Sequence, residues 1–571
     1  MSVVFLTNGE PTVTVEQFQA IASSNNLEIP EQDEKDYLFL LNSLDATLTQ
    51  VADLPAYVDP RLKPDEGTLP RTWKKAAENP LNAWACQTNI KSPAPVDTRL
   101  SGVTVALKDN ISLAGVPLTG GTFPELITGS SDPHVPTIDA VVVQRLLESG
   151  ATIAGSATCE NFSMSPLSFT SATGPVQNPW LHGWTTGGSS SGPVALVAIK
   201  AVNSWRKRHG LPSVAEKLGE GVDVAIGGDQ GGSIRIPSSY CGVYGLKPTH
   251  GLIPYTGIMS LHPLIDHTGA IAGCLEDVAR LLSVLAGYDG MDPRMTPLSP
   301  LRPQVQDYRL DLEKWIRAKK EAGEWTPSSS GKGLRIGIIK ESLTVLNLSA
   351  ACKTAFLKAA DRFRAIGAHV DDISIPEHKI APSIWTIATR LGMYHYGFQN
   401  NPPPLLNHPL PSISPPAFTQ PTYDTLTQAN PAVVNVFLGG EFLKSKPSSR
   451  QITAKAICHI HQLIAAYDAA LSNYDVLLLP SNPNPGSKHP ERGMSVGQKM
   501  DPCIGATLNT CGFNVTGHPG LVMPVGFAEV SEGRLPVAMQ IVGRKFGEGG
   551  ILKVAKAWEV PGLGLDEWDG R

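Results

Sequence analysis

The chain has no run of apolar residues approaching the roughly 20 that a helix needs to cross a bilayer, so a membrane-embedded protein is not expected. Cysteine is scarce: eight among 571 residues, at positions 86, 159, 241, 274, 352, 458, 503 and 511. Their scatter has no disulfide rhythm and suits a reducing compartment, so the cytoplasm is the expected location. Positive charge is not in excess either. With 47 Lys and Arg against 52 Asp and Glu, the formal net charge of -5 favours neither nucleic acid nor an anionic membrane as partner. The stretch Met1 to Glu10 is apolar in part but has no basic flank, so no secretory signal is expected. Sites such as Asn514-Val515-Thr516 are then expected to carry no glycan. The 14 histidines include no His-Glu-x-x-His, and no paired Cys-x-x-Cys occurs. No metal is expected. The glycines from Gly227 to Gly232 do not continue into Gly-Lys-Ser/Thr, so no phosphate loop and no nucleotide cofactor are expected.

What is present is a chain 42% hydrophobic, enough for a sizeable core in one large domain with additions or in two to three smaller ones. Its most informative run is Gly227-Gly228-Asp229-Gln230-Gly231-Gly232-Ser233-Ile234-Arg235-Ile236-Pro237. A glycine pair takes backbone angles other residues avoid, so the amides around Gly231 and Gly232 can converge just ahead of the Ser233 hydroxyl. That arrangement suits an oxyanion beside a nucleophile. A Gly-Gly-Ser alone also reads as a flexible turn. Upstream, however, Val105-Ala106-Leu107-Lys108-Asp109-Asn110 ends an apolar run in a lysine, and Thr186-Gly187-Gly188-Ser189-Ser190-Ser191-Gly192 is a second Gly-Gly-Ser turn. The segment from Gly188 to Gly192 also fits a Gly-x-Ser-x-Gly elbow with Ser190 as nucleophile. An elbow needs a strand before it, which Asn178 to Gly183 does not supply, and it leaves Lys108 and Ser233 idle.

These three elements, in the order Lys, Ser, Ser, resemble the amidase signature family of serine hydrolases. The resemblance extends over Lys247 to Pro254, Asp266 to Gly269, Ala286 to Gly290, Tyr474 to Pro480, Asn514 to Gly520 and Leu535 to Gly543. The Asp-Gln-Gly-Gly-Ser form is most similar to that of soluble broad-spectrum amidases. The resemblance implies an acyl-enzyme on Ser233, with Ser189 as bridging serine and Lys108 as base. It implies an oxyanion hole from the amides of Gln230, Gly231, Gly232 and Ser233, and places Asp229 and Arg235 behind the turn. It implies no cofactor, a small-molecule amide as substrate and a homodimer. The implied fold is an α/β layered architecture around a large mixed sheet, which the alternation of short strands and helices between Gly102 and Ala154 independently suggests.

Serine attacks a carbonyl only if something takes its proton, and lysine accepts one only when neutral. A solvated lysine has a pKa near 10.4, so the site must depress it, and about three units correspond to roughly 4 kcal/mol. Burial against Val105, Ala106 and Leu107 would do so, whereas a carboxylate pulls the other way. Asp109 is expected to face away, because neighbours on a strand point to opposite sides. Two other readings use the same residues: one component of an amidotransferase that works on aminoacyl-tRNA, and a degenerate binding protein.

By organisation, residues 1–90 are expected to be an N-terminal helical region and 91–571 the catalytic domain. Leu38, Leu41, Leu44 and Leu48 lie near one helical stripe. Residues 200–221 read as a surface insertion extending the helix after Ser191, and the proline-dense 401–421 as a rim loop. Met164, Ser165, Trp385, Tyr394 and Tyr396 are candidates for an acyl pocket, with membership of the core as the open alternative for the aromatics. Cys159 and His518 read as buried structural residues.

Overall fold

The computed structural model describes residues 11–399, 401, 413, 415–491 and 493–559. It divides into two units, Met1–Pro60 and Arg61–Arg571. The first contains the helices Val15–Ser24 and Glu31–Ala52. Thr14 and Gln17 close a capping box at the start of the first helix. The second helix buries only Ser43, and along its expected apolar stripe Leu44 and Leu48 stand exposed.

In the second unit the strands form one mixed sheet. They are β1 (Trp73–Lys74), β2 (Trp84–Ile90), β3 (Thr104–Lys108), β4 (Thr152–Ala157), β5 (Val224–Gly228) and β6 (Tyr244–Lys247), followed by β7 (Thr268–Ala272), β8 (Arg335–Ile339), β9 (His369–Ile373), β10 (Val476–Pro480), β11 (Gly520–Val530) and β12 (Gly533–Gly543). Across the sheet their order is β1-β2-β4-β3-β5-β7-β6-β11-β12-β10-β8-β9. The helical region expected to reach Ile90 therefore ends earlier, because Trp84–Ile90 pairs antiparallel with β4 as part of the sheet.

Strand alternation decides what each face of the sheet offers. Val105 and Leu107 of β3, with Val224 and Ile226 of β5, join the larger core cluster on one face, alongside helix Leu275–Leu285. Ala106 and Ala225 join the cluster on the other face, under helix Ser191–Arg208. Alanines let that helix approach closely. The same alternation turns Lys108, two residues after Ala106, toward the end of the sheet where this helix begins. Strand β3 runs parallel to β5, so Lys108 and the turn after Gly228 leave the sheet at the same carboxyl edge, where open α/β sheets bind ligands.

The segment 200–221 continues the helix Ser191–Arg208 and then forms a short helix, Ala215–Leu218. Trp205 stacks on His209 with centroids 4.1 Å apart and packs edge-on to Trp180 at 5.5 Å. Most of the proline-rich segment, 402–412 and residue 414, lies outside the described residues. Helix Gln420–Ala429 begins within its last two positions.

Candidate active site

Lys108 is fully buried, and its Nζ donates to Ser189 Oγ at 2.8 Å. Burial is the main influence on the ammonium and pushes its pKa below the ordinary lysine value, while Cys159, Asp229 and Glu160 oppose that shift. The Cys159 thiol is itself driven up by burial, so it stays protonated and uncharged at neutral pH. Asp109 faces elsewhere. Its carboxylate accepts from the Thr119 hydroxyl and amide and from Ser156 Oγ, the last at 3.2 Å, and burial raises it to about 6.

Ser189 follows a cis Gly188–Ser189 peptide. No side chain fits at Gly188, where a Cβ would lie 2.6 Å from the Ser165 carbonyl oxygen and 2.9 Å from Glu160 Cγ. The Ser190 amide donates to the Ser233 carbonyl at 3.2 Å, which ties the two Gly-Gly-Ser turns together. Between Val224 and Cys241 every residue is buried except Ser233, which is half-buried at the tip of its turn.

Asp229 organises the turn that carries Ser233. It accepts two side-chain bonds from Arg235, each at 2.9 Å, one from the Gly232 amide at 2.7 Å and one from the Ile234 amide at 3.1 Å. Burial would raise this carboxyl, but the Arg235 guanidinium and Asn514 hold it far below the usual carboxylate range. Arg235 also donates to Gln540 Oε1, Asn514 Oδ1 and the Thr510 carbonyl at 2.7 to 2.9 Å. Gly232, expected among the oxyanion donors, thus directs its amide away from that role. Among the described residues the amides of Gln230, Gly231 and Ser233 have no protein partner.

The pocket candidates separate. Trp385 lies against the turn: its Nε1 donates to the Gln230 carbonyl at 2.9 Å, and a Cβ at Gly231 would lie 3.1 Å from its ring. Tyr394 is core, fully buried with its phenol donating to Glu441 and its ring beside Phe437. Met164 packs in the same cluster. Tyr396 is half-buried and faces His262, and Ser165 Oγ donates to the Leu167 carbonyl at 3.0 Å. His518 bonds Thr516 and Asp468, in keeping with a structural role. Sequence reasoning left Glu160, Thr510, Asn514 and Gln540 without roles. All four are buried polar residues, and three of them reach the Asp229 turn from more than 270 positions away. Among the described residues no group of three His, Cys, Asp or Glu is arranged to hold a metal ion.

A family model described as amidase matches residues 73–204 and 219–552. The chain belongs to the amidase family. An enantioselective amidase of Rhodococcus rhodochrous is 35% identical over 529 residues, covering 90% of this chain and 89% of that one. A glutamyl-tRNA(Gln) amidotransferase subunit of Carboxydothermus hydrogenoformans is 30% identical over 473 residues, covering 81% and 83%. Among solved structures, a bacterial aryl acylamidase superposes with a TM-score of 0.61 at 20% identity, covering 84% of this chain and 86% of the other. That likeness bears on the fold, which is the mixed α/β amidase architecture. The family assignment makes the chain a hydrolase of amide C–N bonds. The break in the family match, between residues 204 and 219, falls within the 200–221 extension.

Proposed function

We propose that this amidase works through an acyl-enzyme on Ser233, with Ser189 relaying the proton to Lys108. The observation that carries this reading is the 2.8 Å bond between Lys108 Nζ and Ser189 Oγ in a fully buried setting that favours neutral lysine. Ser233 Oγ attacks the amide carbon, and its proton passes through Ser189 to Lys108. The oxyanion accepts from the amides of Gln230, Gly231 and Ser233. As the C–N bond breaks, the same proton returns through Ser189 to the departing nitrogen, releasing ammonia or an amine. Water then attacks the ester by the reverse relay and frees the acid.

Apolar or aromatic acyl groups suit a site bordered by Trp385. Release of ammonia or amine from a panel of aliphatic, aryl and long-chain amides tests the reading, with Ser233→Ala and Lys108→Ala beside the wild type. Turnover by wild type alone, with hydroxylamine intercepting the acyl group as a hydroxamate, is expected. Wild-type rates in Ser233→Ala would refute it.

The amidotransferase relatives favour a second reading, one component of a complex that works on aminoacyl-tRNA. Co-purification with partner chains and failure on free amides would support it. We also propose a cytoplasmic homodimer, a reading supported by eight free thiols and by Leu44, Leu48 and Val51 exposed along Glu31–Ala52. Light scattering on wild type and Leu44→Glu tests the dimer.

A further inference from the structure

Glu160 is a fully buried carboxylate that the relay does not use. It grips the turn bearing Ser189 at three points. Its amide donates to the Ser189 carbonyl at 3.3 Å, its Oε1 accepts from Ser191 Oγ at 2.6 Å, and its Cγ occupies the space a Gly188 side chain would need. Its other oxygen, Oε2, accepts from the Thr170 hydroxyl and from the Thr170 amide at 2.8 Å. All these partners are uncharged.

The groups around Lys108 are few. Asp229 faces it but is neutralised by the two bonds from Arg235. Cys159 faces it as a neutral thiol. Asp109 points to Thr119 and Ser156. Glu160 also faces Cys159 and Cys503, both thiols that burial keeps protonated. Unlike Asp229, the Glu160 carboxylate is bonded by no arginine among the described residues.

We propose that Glu160 is a positioning residue for the relay: it clamps the Gly188–Ser191 turn that holds Ser189 against Lys108, and its charge adds to the forces that keep a proton on Lys108. The inference rests on Lys108 being the base. Burial raises the Glu160 carboxyl to about 7, in spite of its hydrogen bonds to Ser191 and Thr170. When Glu160 ionises it favours the ammonium of Lys108 and delays activity to higher pH.

The test is the pH dependence of kcat/KM for the best amide of the panel, measured for wild type, Glu160→Gln and Thr170→Val. Glutamine keeps the clamp's shape and removes its charge. The acidic limb of the profile should move to lower pH by on the order of 1 unit, the low end of the shift that one nearby opposite charge produces. Thr170→Val leaves the carboxylate but removes a bond to its ionised form, and should move the limb the same way by less. If Glu160→Gln fails to fold, Thr170→Val carries the measurement. An acidic limb that stays at its wild-type pH in the folded variants overturns the proposal, even if the rate falls. Lys108→Ala separates the two failures. If it retains wild-type turnover, the reading of Lys108 as base has failed. If it is inactive while the limb does not move, the role of Glu160 alone has failed.

Discussion

Gly232 answers two demands at one Cα. Its φ of +135° aims the amide at Asp229, and a Cβ there would lie 2.6 Å from Thr510 Oγ1 and 2.7 Å from Ile236 Cδ1. Gly232→Val should displace the turn and lower kcat by on the order of 100-fold, comparable to losing an oxyanion donor. A melting curve near wild type beside the kinetics would show that the damage is local. Arg235→Met leaves Asp229 as a buried unpaired charge, a change that costs about 3 to 5 kcal/mol. Chemical denaturation should read that loss as an earlier midpoint with an unchanged slope. Trp385→Phe loses the bond to the Gln230 carbonyl together with the outer indole ring that lies against Gly231. At about 1 kcal/mol for one hydrogen bond, kcat/KM should fall roughly fivefold.

The helix Ser191–Arg208 serves both the turn of Ser189 at its start and the extension at its end. Trp205→Ala removes the stacking with His209 and Trp180 near that far end. Thermal unfolding should show a loss of about 1 to 2 kcal/mol, while kcat/KM for small amides holds. How these parts read in the sequence follows from the range of the forces involved. Lys108, Ser189 and Ser233 each sit in a short segment whose glycines or apolar neighbours mark the local geometry, and β3 and the helix after Ser191 are readable from their local sequence. The direction of the Gly232 amide is not legible there, because it is decided by Asp229 and by crowding from Thr510 and Ile236. Nor is the early end of the helical region: Trp84–Ile90 becomes a strand only through pairing with β4. Tyr394 reads equally well as pocket or core, and its bond to Glu441, 47 positions away, decides for the core.

Buried carboxylates also shape the stability of the whole chain. Glu160 has an ordinary value of 4.5 and a folded value of about 7. Below 4.5 it is protonated in both states. Between these two values the unfolded chain gives up the proton that the folded one retains, so this contribution to stability is lost as pH rises and is constant beyond. The difference in melting temperature between wild type and Glu160→Gln should therefore change across that window and flatten above it. Asp109 works in the same sense between 3.8 and about 6. The ties of Arg235 have a further consequence, in time. A ribosome delivers Lys108, Ser189 and Ser233 well before Thr510, Asn514 and Gln540, which follow Arg235 by more than 270 positions. Until they emerge, the Ser233 turn lacks the side chains that tie Arg235, so on the proposed mechanism hydrolytic power is expected only after Gln540 has been synthesised.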